Sequence, residues 1–197
     1  MSNIKDFEQN TKFQQIVTTA QRLFYRFGIK RVTIEEICRE STVSKMTFYK
    51  FFSNKLELVK YLLESIFDQA IQKYLDIIES DIPFPDKLKA LIDLKRRQTE
   101  QIGAEFIAEL LQQPEPEIAA VYQKQRDRSM TMTMNFLQRA QENGDIRAEI
   151  KLEFILYILN KMVDMSTDET LNQIYESPQE MAVEMTNFFF YGILNRD

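Results

Sequence analysis

The chain has 197 residues, 44% hydrophobic and 28% charged, with a net charge of −5, which is enough apolar material for a packed core under a polar surface. With only 4 Gly and 5 Pro, a sandwich or barrel of many short strands is disfavoured and long helices are favoured. No histidine and one cysteine, Cys38, exclude Cys/His zinc sites, Ser-His-Asp triads and internal disulfides, and the longest uncharged run, 185–195, is too short for a membrane span. Residues 1–6 open no signal peptide, so a cytoplasmic, all-α protein is expected.

The first periodic segment is Phe13, Ile16, Val17, Ala20, Leu23, Phe24 and Phe27, one face of a helix that Gly28 stops. A short helix follows from Thr33. Thr33 and Glu36 have capping-box spacing, and Val32 and Ile37 have the spacing of a hydrophobic staple. After the turn residues 41–44, Ser44 caps a third helix, 45–51, and Val43 with Phe48 repeats the staple. Two short helices separated by a turn of about four residues form a helix-turn-helix arrangement. Asn54 then caps a pattern running from Leu56 to Ile78, a helix of about 25 residues, or roughly 37 Å, ended before Pro83 and Pro85. Further helices are expected at 87–113, interrupted near Gly103, at 117–142, at 149–166, and from a capping box at Ser177 to Leu194.

Charge divides unevenly: residues 1–60 carry 11 Lys/Arg against 6 Asp/Glu, net +5, and the remainder carries 14 against 24, net −10. A basic head on an acidic body suits a chain whose one end meets a polyanion. Within that head, Thr33, Ile34, Ile37, Val43, Ser44, Lys45, Thr47, Phe48, Tyr49, Phe52 and Lys55 resemble the DNA-binding signature of the TetR/AcrR family of bacterial transcriptional regulators. The resemblance covers about residues 10–60. It departs at Thr42, where the family's turn has Gly; a β-branched residue is poorly suited to positive φ, so the turn is expected to be conformed differently. It departs again at Met46, which replaces a small residue or Pro and presents a longer side chain to the groove.

The resemblance implies a three-helix DNA-binding domain at 1–54, joined by a long helix to a helical ligand-binding and dimerisation domain at 55–197. Thr33, Ser44 and Lys55 stand at or beside helix starts, where phosphate oxygens are attracted, although capping alone explains Thr33 and Ser44. Tyr49 and Lys55 have the reach for the DNA backbone. Lys45, Met46, Thr47 and Lys50 lie in the short helix that enters the major groove in this motif, Lys45 toward guanine, Thr47 and Met46 toward thymine methyl groups.

The helices from 149 and 178 are apolar on more than one side, which asks for a partner beyond the chain's own core. Met181, Met185, Phe188, Phe189 and Gly192 are the expected dimer contacts. The family further implies a pocket for a small-molecule effector, with Tyr74, Phe106, Leu110, Tyr122, Met130, Met134 and Tyr157 as candidate lining and Asn160 and Asp164 as polar partners. Core packing is the competing reading of each. Glu105 and Glu109, four apart, read as a solvated face, with cation binding as the alternative. The expected function is therefore a homodimeric, ligand-responsive regulator, a repressor of a palindromic operator, needing no cofactor. The rivals are a helical protein-interaction module and an enzyme working without metal or histidine chemistry, for which no paired motif stands out.

Overall fold

The computed structural model describes residues 7–99, 102–112, 115–165 and 168–194. It is all-α, as composition and periodicity require. Among the described residues ten helices follow one another: α1 (Thr11–Phe27), α2 (Ile34–Glu40), α3 (Lys45–Phe51), α4 (Lys55–Ile78), α5 (Phe84–Thr99), α6 (Ala104–Gln112), α7 (Pro116–Glu142), α8 (Leu152–Met165), α9 (Glu169–Ile174) and α10 (Pro178–Ile193).

Local chemistry sets the starts. Asn10 accepts from the amides of Lys12 and Phe13, Thr33 from Glu36, Ser44 from Thr47, Asn54 from Glu57 and Ser177 from Glu180, each satisfying a donor that the first helical turn leaves free. Both staples close, with Val32, Ile37, Val43 and Phe48 all buried. Two elements differ from expectation. α5 begins at Phe84 rather than 87, because Pro85 falls in the first turn, where a missing N–H is harmless and its fixed φ fits. α9 was not anticipated; the Asp168 carboxylate caps it by accepting from Thr170 and Leu171 at 2.9 and 3.0 Å.

The turn after α2 corrects the expectation for Thr42. It takes φ 56°, the left-handed conformation a glycine would take. Val43 N donates to Cys38 O at 2.9 Å and Thr42 N to Arg39 O at 3.2 Å, the paired bonds of a Schellman end. Those bonds and the burial of Val43 outweigh the local strain of a β-branched residue there. Thr42→Gly is expected to raise the unfolding free energy by about 1 kcal/mol, read from denaturant midpoints. A lower midpoint would mean the turn is not strained.

The chain packs as two compact units. The first lies within Met1–Phe67 and Gln101–Gln123, the second within Asp68–Glu100 and Lys124–Asp197. Packing therefore does not follow the division at 54/55. Leu58, Val59, Leu62 and Leu63 of α4 are buried in the same core as Phe13, Phe24, Phe48 and Phe52, and Phe106 and Ile118 join it. Stacking of Phe13 on Phe52 at 5.3 Å and edge contact with Tyr61 at 5.2 Å tie α1, the end of α3 and α4 together. In the second unit Phe84, Leu88 and Leu91 of α5, Phe136 and Leu137 of α7, Ile155 of α8 and Phe189, Phe190 and Ile193 of α10 share one core. Among the described residues, no helix is long and apolar enough to cross a membrane.

Candidate DNA-binding surface

The α3 helix divides its residues sharply. Phe48 is fully buried and Phe52, just past the end, is 1% exposed, so both anchor the helix, as their spacing of four implies. Lys45, Met46, Tyr49 and Lys50 lie on the opposite side and are exposed, Met46 at 73% and Tyr49 at 53%. The exposed face of α3 is thus part apolar and part cationic, with Met46 and Tyr49 beside Lys45 and Lys50. Thr47 sits at the edge, half-buried, its hydroxyl 3.0 Å from that of Ser44. Thr33 and Ser44 act as caps.

Charge is arranged around this face. Lys45 pairs with Glu35 of α2, whose carboxylate holds the Lys45 ammonium above its usual pKa while the ammonium lowers that of Glu35. Sequence reasoning missed this pair, although a spacing of ten between two capped helices could have suggested it. Arg31 and Arg26 lie over the Phe27 ring, at 4.1 and 4.9 Å from its centroid.

Lys55 departs from expectation. Rather than reaching outward, its ammonium donates to Ile29 O at 2.8 Å and Val32 O at 2.9 Å, with Lys30 O at 3.4 Å. An ammonium has three donors, and the converging carbonyls of the loop between α1 and α2 take them here. Burial pulls its pKa below the ordinary lysine value, and the negative charge of Glu109 opposes that shift.

The expected effector residues do not form one group. Phe106, Leu110 and Tyr122 belong to the first unit: Phe106 packs edge-on against Tyr25 at 5.1 Å, Leu110 joins the helix-turn-helix core, and Tyr122 meets Phe67 at 6.0 Å. α6 returns to α1, which periodicity within α6 cannot reveal. In the second unit, Tyr74 meets Phe136 edge-on at 6.2 Å, and its hydroxyl, buried beside Thr133, has no hydrogen bond of acceptable geometry; burial pushes its pKa up to about 12. Met130 and Met134 are half-buried. Asn160 accepts from Arg126 at 2.9 Å and donates to Leu156 O at 3.1 Å, so its amide is engaged within the unit. Tyr157 is 57% exposed beneath Lys161, which places it on the outer side of α8 rather than in a lining. The side chain of Asp164 lies outside the described residues.

The expected dimer contacts also divide. Met181 is fully buried and Phe189 is 6% exposed, both inside the protomer. Phe188 is 85% exposed, Gly192 is exposed with nothing within 4 Å of where a Cβ would stand, and Met185 is half-buried. Tyr191, outside the expected contacts, is 56% exposed, and Phe154 on α8 is 58% exposed. The outward faces of α8 and α10 thus carry large aromatic side chains.

Residues 16–62 match the family model of bacterial regulatory proteins of the tetR family. The chain is 39% identical over 62 residues to the HTH-type transcriptional regulator TtgR of Pseudomonas putida, a stretch that is 32% of this chain and 29% of that relative. It thus spans under a third of that relative's length. The whole fold is similar to Escherichia coli NemR in its reduced form, with TM-score 0.74 and 16% identity over 96% of this chain and 99% of that one. It is likewise similar to FadR of Bacillus subtilis in complex with stearoyl-CoA, with TM-score 0.70 and 16% identity over 92% and 99%. The capped starts, buried anchors and exposed α3 face of the helix-turn-helix thus fall inside the stretch that matches the tetR family model, on an all-helical chain whose fold is similar to that of NemR.

Proposed function

We propose that the chain is a ligand-responsive transcriptional regulator of the cytoplasm, a repressor that binds a two-fold symmetric operator as a homodimer and is released by a small molecule. The observation that carries this reading is α3, which anchors itself through Phe48 and offers Lys45, Met46, Tyr49 and Lys50 to a partner surface. Lys45 and Thr47 suit base edges, Met46 a thymine methyl, and Tyr49 and Lys50 the phosphates that fix register. The exposed aromatics of α8 and α10, with unobstructed Gly192, support a two-fold contact between copies, which pairs two recognition helices on one duplex. For the effector we propose an apolar or amphipathic molecule in the second unit near Tyr74, whose orphaned hydroxyl is the kind of buried group that a ligand's polar end satisfies.

Selection from a random duplex library with the purified chain tests the reading. The expected product is an inverted repeat whose half-sites are one helical turn, about 34 to 36 Å, or a multiple of it apart. A library that returns no enriched sequence at moderate salt would overturn it.

A further inference from the structure

The loop 28–33 joins α1 to α2, and both kinds of its backbone group are gripped by side chains from elsewhere in the first unit. From α6, the Glu109 carboxylate accepts from Ile29 N at 2.6 Å and Lys30 N at 3.1 Å. From the start of α4, the Lys55 ammonium takes the carbonyls of Ile29 and Val32. The approach is close enough to dictate sequence. Gly28 has φ 79°, and a Cβ there would stand 2.7 Å from Glu109 Oε1. α6 itself is docked on α1. Gly103 N donates to Tyr25 O at 2.8 Å, a Cβ on Gly103 would lie 2.6 Å from the same oxygen, and Phe106 packs on Tyr25. Gly103 just before α6 and Phe106 and Glu109 within it carry this contact, with Glu105 Cγ 3.2 Å from where a Gly28 Cβ would stand.

We infer that Glu109 is a positioning residue for DNA binding, holding the α1–α2 loop, and with it the start of α2, in the orientation that presents α3. The inference rests on the DNA-binding reading above and extends it to a helix well beyond residues 16–62. The loop ends in Val32, fully buried, and Thr33, the cap of α2, so displacing its amides displaces the origin of the helix against which α3 packs. A charged acceptor on two amides is stronger than a neutral one, and Lys55 opposite prevents the loop from following the carboxylate. Glu109 acts through the loop rather than by touching a base or a phosphate.

The full chain, the selected duplex and a scrambled duplex of equal length test the assignment. Loss of orientation removes base contacts, whereas binding to scrambled DNA rests on phosphate charge and tolerates it. Glu109→Ala is expected to weaken binding to the selected duplex about tenfold or more, the worth of one good base contact, and to change scrambled-duplex binding by less than about twofold. Glu109→Gln, which keeps one neutral acceptor, falls between. Equal weakening on both duplexes would mark a general loss of fold, and no weakening on either would mark an idle contact; both overturn the inference. A wild-type chain that selects no duplex overturns the DNA-binding reading instead. Amide exchange in the free protein then decides the grip itself: Ile29 and Lys30 exchange about tenfold faster in Glu109→Ala if the carboxylate protects them, and unchanged rates overturn it.

Discussion

Phe188→Asp is expected to abolish the proposed dimer while leaving the protomer folded. Phe188 is 85% exposed in the protomer, so the substitution removes little internal packing. In a two-fold contact through α10 the same position is covered, and symmetry brings two carboxylates into an apolar interface with no counter-charge supplied. An unpaired buried charge costs several kcal/mol, so the dimer weakens by about 100-fold or more. Operator affinity falls with it, because a monomer presents one recognition helix and retains only half-site contacts. Light scattering at micromolar concentration reads the mass, and thermal unfolding checks the protomer. Dimers of unchanged mass in Phe188→Asp would place the interface elsewhere.

Phe48→Ala is expected to act on the opposite side of α3. The ring is fully buried, meets Phe52 at 5.8 Å and Tyr49 edge-on at 5.5 Å, and closes the staple with Val43. Removing a buried aromatic ring costs about 3 to 5 kcal/mol, a large share of the 5 to 15 kcal/mol that holds a typical domain. The first unit is expected to unfold at lower denaturant, and DNA binding to disappear with it although Lys45, Met46 and Lys50 are unchanged. A loss below about 1 kcal/mol in denaturant titration would contradict the anchoring role.

Much of the helix-turn-helix was legible because its determinants are local. Thr33, Ser44 and Asn54 act within three residues of themselves, and the staples within five, so sequence spacing is enough to find them. Determinants that depend on distant contacts were not legible. Glu109 grips an amide 80 residues away, and nothing in its own helix distinguishes it from Glu105. Lys55 reads as a basic residue at a helix start until the loop's carbonyls are seen to converge on it. In α10 the run Phe188, Phe189, Phe190, Tyr191 is apolar on every side, so periodicity could not say that Phe189 and Phe190 turn inward while Phe188 and Tyr191 turn out. Phe106 and Leu110 read as pocket lining in the sequence for a related reason. Their amphipathic pattern requires a core, and only the fold shows that it is the core of the first unit.

Hydroxyl-radical footprinting of the wild-type chain on its selected duplex reads where α3 docks and how many copies dock at once. Two protected patches on one face of the duplex, related by a two-fold axis and centred about 34 to 36 Å or a multiple of it apart, are the predicted result. A single patch, or uniform protection along the duplex, would contradict it.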